Sequence, residues 1–256
     1  MKLPHLIALL TLTSAAYAGP DTSKNPMTTA PEESPWHFRS VVYGWVTAIE
    51  GDVGIGPLSA PVDISMSDTL DTLDMGYMGA LELGYNKWAF GVDIVYGKTS
   101  QDIDGGGILF DSFRYEQKQW IITPAISYRV VETNDYHMDI FAGARFTVLD
   151  ADLTGRLARG GEIALGSDKD WVDPIIGIRG QAALTEKLFV RYNADIGGFG
   201  VNSDLVWQAF LGLGIQCTDN VSVAIGYRGL GIDYSEDNLT LDTVTHGPVV
   251  GFELRF

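Results

Sequence analysis

The sequence predicts an all-β chain closed into a single transmembrane, antiparallel, up-and-down barrel of about ten strands. Three observations carry this. The first is an amino-terminal export signal. The second is a period-two alternation of apolar and small or polar residues that recurs along most of the 256 positions. The third is the placing of aromatic side chains near the ends of the alternating segments. Composition agrees with it. Apolar residues make up 46%, charged ones only 20%, and the chain holds 30 glycines with 11 Phe, 11 Tyr and 6 Trp. This is no disordered chain. A net charge of −16 excludes a nucleic-acid binder, because the surface would repel phosphates. Its one cysteine, Cys217, excludes a disulfide framework and a cysteine-based metal cluster, and reads as an inert small residue.

Residues 1–18 read as a secretory signal. Lys2 is the positive head, Leu6 to Leu12 the apolar stretch, and Ala16-Tyr17-Ala18 the small-x-small cleavage site. The apolar stretch is too short for a helical span, which needs roughly 20 residues. Removal takes Lys2 and no acid, leaving 16 bases against 33 acids, or −17. Residues 19–34 are polar and proline-rich and read as a flexible lead-in, so the barrel domain is taken as 35–256.

Ten strand segments follow: 36–50, 75–86, 88–100, 114–131, 136–150, 173–185, 187–198, 204–217, 220–234 and 245–256. Splitting or merging one segment would give eight or twelve, since barrel strands are weak signals singly. Leu188, Val190, Tyr192, Ala194 and Ile196 share one face, against Arg191, Asn193 and Asp195. Leu205, Trp207, Ala209, Leu211, Leu213 and Ile215 do so in the eighth segment. Connections alternate between short turns, such as Asn86-Lys87 and Asp219-Asn220, and long loops at 51–74, 101–113, 151–172, 199–203 and 235–244. An even count of strands places both termini at the short-turn end.

A soluble sandwich would bury the apolar faces inside. It does not account for the export signal, the aromatic borders and strands of about ten residues together. An outer-membrane barrel does, with an apolar band toward lipid and a polar interior. The aromatic girdle is expected at Tyr85, Trp88, Trp120, Tyr128, Trp207 and Phe256. The inward faces then collect a charge network of Glu82, Asp93, Arg129, Asp139, Arg145, Arg179, Arg191, Asp195, Arg228, Glu253 and Arg255. An arginine turned to lipid would cost about 2–4 kcal/mol at mid-bilayer, whereas acids and guanidinium groups can pair across a narrow lumen. The network reads first as structural, because paired charges consume a lumen of this size, and second as the selectivity lining of a pore.

The ending Val250-Gly251-Phe252-Glu253-Leu254-Arg255-Phe256 resembles the recognition signal of barrel-assembly substrates in Gram-negative outer membranes. Trp171-Val172-Asp173-Pro174-Ile175-Ile176-Gly177-Ile178-Arg179-Gly180, Asp195-Ile196-Gly197-Gly198-Phe199-Gly200-Val201, Ser203-Asp204, Trp207-Gln208, Gly226-Tyr227-Arg228, Asp233-Tyr234 and His246-Gly247-Pro248-Val249 are also familiar. Together they resemble a largely uncharacterised group of outer-membrane barrels within the opacity and OmpA-like class, across essentially the whole mature chain. The resemblance implies an outer-membrane location. It implies outer-membrane lipids and lipopolysaccharide as surroundings, and the barrel-assembly machinery as a partner through Phe256. It supplies no substrate, cofactor, metal or catalytic residue. No peptidoglycan-binding domain follows Phe256 in this sequence.

The long loops are acidic. Loop 1 carries Asp52, Asp63, Asp68, Asp71 and Asp74 without a base. Such a rim would gather cations, but its spacing matches no known calcium loop, and a solvated surface is the simpler reading. Ser67 is expected to cap a short helix carrying Leu70 and Leu73 on one side, either as a plug against the rim or as an irregular turn. His246, with Asp242 and Asp233 near it in sequence, is the one constellation an enzyme could use, yet alternation turns it outward and no serine has nucleophile-elbow spacing. No catalysis is expected. The role this leaves is membrane integrity or a narrow, cation-favouring passage for small solutes, with surface recognition through the acidic loops as the alternative.

Overall fold

The computed structural model describes residues 34–55, 58–104, 110–157, 161–236 and 239–256. The export signal, and the lead-in up to residue 33, lie outside the described residues. Twelve strands form one antiparallel sheet: β1 (Trp36–Trp45), β2 (Ala48–Ile55), β3 (Leu58–Ile64), β4 (Leu73–Tyr85), β5 (Trp88–Asp104), β6 (Phe110–Glu132), β7 (Tyr136–Leu157), β8 (Glu162–Ala183), β9 (Leu188–Gly198), β10 (Ser203–Thr218), β11 (Val221–Glu236) and β12 (Leu239–Arg255). Each strand from β4 to β12 pairs with its sequence neighbour, and β1 pairs with both β4 and β12, which closes the sheet. The staves of this barrel number ten, because β1 and β2 share one and β3 pairs only with β2, outside the closed ring. β12 pairs with β1 along Val249 to Arg255 and with β2 along Leu239 to His246. At the changeover the Val46 carbonyl lies where a Cβ on Gly247 would stand, so only glycine fits.

The outer surface is inverted relative to a soluble protein. Leu81, Leu83, Phe90, Ile126, Ile176, Leu211, Leu213, Ile225, Val250 and Phe252 are all exposed. Two aromatic belts border them. At the short-turn end Trp36 packs on Tyr85 and Trp88 on Tyr128, with ring centroids 4.7 and 4.8 Å apart, and Phe256 lies beside Phe38. At the other end Tyr77, Tyr96 and Trp120 stand in register on β4, β5 and β6, and Trp207 covers Gly229 and Gly231. Trp88 and Tyr96 are eight residues apart on β5. That is roughly 26 Å along the strand and about 20 Å across a membrane once the usual tilt is included. A belt of this kind leaves its side chains nowhere to go but lipid, so the chain is a barrel of the outer membrane.

The long-loop end differs from the expectation in three ways. Residues 101–104, 110–113, 151–157 and 162–172 belong to strands, since β5 reaches Asp104 and β6, β7 and β8, 22 or 23 residues long, continue past the upper belt. Loop 1 is a β2–β3 hairpin followed by a helix, α1 (Met66–Thr72), with β3 holding an edge where Pro61 is tolerated. The cap of α1 is Ser65, not Ser67. Ser65 is extended, its Oγ accepts from the Asp68 N–H at 3.3 Å, and the Asp68 carboxylate accepts from the Ser65 N–H at 3.2 Å. Ser67 sits one position inside the helix. Leu70 and Leu73 are exposed and nothing on the helix is buried, so it is no plug.

Candidate functional site: the barrel lumen

The lumen has two unlike halves. Beginning at the short turns, the inward positions carry charge. Glu253 accepts from Arg191 at 2.6 Å, from Arg39 at 3.4 Å and from its near neighbour Arg255. Arg39 also reaches Glu82 at 3.2 Å, and Glu82 pairs in turn with Arg179. Arg179 donates to Asp139 at 3.3 Å, and Asp139 accepts from Arg129 at 2.9 Å. The result is one chain of alternating charges contributed by β12, β9, β1, β4, β8, β7 and β6. Side-chain amide and hydroxyl groups complete it. Gln181 accepts from Arg191 and Arg255, at 2.9 and 3.0 Å, and Ser127 from Arg179 at 2.7 Å.

One layer further in, Arg228 donates to the Tyr43 hydroxyl at 2.7 Å, to Asp93 at 3.1 Å and to Gln208. Tyr43 donates to the other Asp93 oxygen at 2.7 Å. Beside it Arg145 grips both oxygens of Asp195, at 2.9 and 3.1 Å. Exposure falls steadily along this path: the side chain of Arg255 is 37% accessible, that of Arg228 7% and that of Arg145 1%. The lumen is therefore open at the short-turn end and narrows inward. Its hollow part is a cavity of about 520 Å³ that ten of the eleven charged residues named from sequence line, with Arg145 buried behind them.

Above the Arg228 layer the interior is apolar and packed. Trp45, Val95, Ile121, Trp171, Ile175, Val206, Leu230, Ile232, Tyr234 and Val249 form one buried cluster. Trp171 stacks on Tyr234 at 4.4 Å, and the Arg228 guanidinium lies 4.8 Å over Trp45, where the two halves meet. Asp173, wholly buried beside this cluster, accepts from the Ser203 N–H and hydroxyl at 2.8 and 2.6 Å, which ties down the short β9–β10 turn. The uniformly polar interior expected from sequence is thus replaced by an ionic half and an apolar half. Sequence reasoning missed this layer, the Asp173–Ser203 tie, and the neutral members Tyr43, Gln208, Gln181 and Ser127.

The outward candidates lie apart from the lumen. His246 does not meet Asp242 or Asp233. Its Nδ1 bonds the Tyr227 hydroxyl at 2.6 Å and its Nε2 lies 3.3 Å from Glu50, on the outer face at the upper belt. Asp52, Asp242 and Asp233 form a lateral acidic row on β2, β12 and β11. Asp63 lies on β3 opposite Glu50, Asp68 and Asp71 are on α1, and Asp74 pairs with Lys98 at 3.6 Å. Among the described residues no group of three His, Cys, Asp or Glu could hold a metal ion.

No family model and no curated protein matches the chain. Solved structures do. The outer-membrane protease OmpT from Escherichia coli aligns over 90% of this chain and 99% of its own, with a TM-score of 0.57 at 12% identity. Neisserial surface protein A covers 87% of this chain and 98% of its own, with a TM-score of 0.35 at 15% identity. Ail, the attachment invasion locus protein of Yersinia pestis, covers 88% of this chain and 100% of its own, with a TM-score of 0.35 at 12% identity. At 12% identity what the protease and this chain share is the barrel fold.

Proposed function

We propose that this protein is a closed, non-conducting barrel that serves the outer membrane as a structural element, a member of the broad opacity and OmpA-like class. The observation that supports this reading is the apolar layer. Ile175 and Val206, each 1% exposed, pack with the rings of Trp45, Trp171 and Tyr234 in that half of the lumen, and an ion would have to shed its hydration to cross it. A cation-favouring passage has a second difficulty, since the lumen's arginines outnumber its carboxylates. Planar-bilayer recording tests the reading. The unaltered chain stays silent, and Trp45→Ala combined with Trp171→Ala opens the layer and yields discrete steps. Steps from the unaltered chain would overturn it.

Surface recognition is the second reading. It is favoured by the height of β6, β7 and β8 above the upper belt, which presents a paired sheet to the outside. Shortening β6 and β7 together would then abolish attachment to a partner surface while leaving the barrel folded. In either role lipopolysaccharide and other outer-membrane lipids surround the belt. Phe256, exposed beside Phe38, is the residue the assembly machinery would grasp before the barrel closes.

A further inference from the structure

We infer that the cavity at the short-turn end is a binding site for a small organic anion, a carboxylate or phosphate borne on a compact apolar body, taken up from the periplasmic side. This site is independent of whether the apolar layer blocks conduction. The argument begins with charge. In a chain with 33 acids and 17 bases, seven of the nine arginines among the described residues face the lumen and no lysine lines the cavity. In the ionic chain nearest the mouth, Arg39, Arg129, Arg179, Arg191 and Arg255 are set against Glu82, Asp139 and Glu253. Glu132 adds a fourth carboxylate only from the exposed rim.

Three of those arginines, Arg39, Arg191 and Arg255, converge on the single carboxylate Glu253. Arg39 is shared with Glu82, and Arg191 and Arg255 both pair with Glu253, so two guanidinium groups rest on a single acid. Bulk salt alone could offset the surplus at an exposed surface, but screening weakens in a low-dielectric recess. A bound anion is the natural counter-charge, and the fork geometry of guanidinium suits carboxylate and phosphate oxygens.

The cavity also has the right size and a mixed wall. Its 520 Å³ falls within the range of small-molecule pockets. Among the arginines it is also walled by Phe141, Phe210 and Val41, which offer an apolar body somewhere to rest. A network that served only to brace the wall would not need a hollow, a charge surplus and an apolar lining in one place.

Calorimetric titration of the full chain, folded in zwitterionic detergent at low salt, tests this with phenyl phosphate and inorganic phosphate as probes. Phenyl phosphate is expected to bind at one site and at least tenfold more tightly than inorganic phosphate, with affinity falling as salt rises. Arg191→Gln should weaken it tenfold or more. Arg39 and Arg255 still hold Glu253 in that variant, so the barrel should fold, as heat-dependent gel mobility would report. Should Arg191→Gln fail to fold, Arg255→Gln at the open mouth carries the same expectation. Glu82→Gln enlarges the surplus and should tighten binding several-fold. The inference is overturned by the absence of saturable binding, by equal affinity for the two probes, or by arginine and glutamate variants shifting affinity in the same direction. The last is the outcome expected of a purely structural network.

Discussion

The two halves of the lumen solve one problem in opposite ways. A ten-stranded barrel encloses more space than backbone alone can fill. Toward the long-loop end the space is taken up by Trp45, Trp171, Tyr234 and branched aliphatics packed on one another. At the short-turn end long arginines reach across the gap and leave a hollow. Glycines make room where large rings lie flat: a Cβ on Gly214 would fall 2.1 Å from the Phe189 ring. The difference teaches that the interior of such a barrel is not one environment. Packing fills the space, and ion pairing gives walls with solvent-accessible donors. The energetic consequences of substitution should differ accordingly.

The strongest test is at the junction. Asp195→Ala leaves Arg145 buried with no carboxylate and should cost about 3–5 kcal/mol, measured by urea unfolding in lipid vesicles. A cost below about 1 kcal/mol would mean that this pair is hydrated like those at the mouth. Next is the packed half. Ile175→Ala should cost about 3 kcal/mol through lost packing and an unfilled void, by the same measurement. At the open end Arg255→Gln should cost less than about 1 kcal/mol, because a partly exposed ion pair is screened and Arg39 and Arg191 still serve Glu253.

The smallest effect lies outside the membrane, on the outer extension of β11. Partial burial, and then the carboxylates of Asp242 and Asp204, raise the pKa of Asp233 above its ordinary value. The folded state therefore holds that proton more tightly than the unfolded one. The charged form is penalised near neutral pH, and the penalty fades as pH falls through the raised value toward the usual aspartate range. Asp233→Asn should thus raise the melting temperature slightly at pH 7, less at high salt, and not at all near pH 3. A rise that persisted at pH 3 would mean that charge is not its cause.

What the sequence discloses follows from which solvent each face meets. Lipid demands an apolar residue at every second position, so the belt strands stand out. Beyond the upper belt β6, β7 and β8 are no longer held to an apolar residue at every second position by lipid. The alternation vanishes there although the backbone pairing continues, which is why those segments read as loops. The β2–β3 hairpin is hidden for the same reason. The packed half is a different case, because its side chains share the inward face with glycines and charges. One signal was there to be used: the adjacent apolar pairs Ile121-Ile122, Ile175-Ile176, Leu205-Val206 and Val249-Val250. In a strand such a doublet puts one member inward, and in each of these the inward member is buried. The charged lumen positions were legible because an arginine flanked by lipid-facing neighbours has only one direction to point. Which of them meet could not be read, since partners such as Arg39 and Glu253 are 214 positions apart.

That separation has a bearing on how the molecule is made. The seam between β1 and β12 is the joint that turns a curved sheet into a cylinder, and its last bonds, from Phe38 N to Phe256 O and back, both 2.9 Å, involve the final residue of the chain. Loop closure over so many residues is entropically slow. Until it happens, β1 and the far strand each present a row of unsatisfied amides that hydrocarbon will not tolerate. Insertion and stitching must therefore be concerted, and an assembly that stalls one strand short is not a smaller barrel but an open sheet with two raw margins.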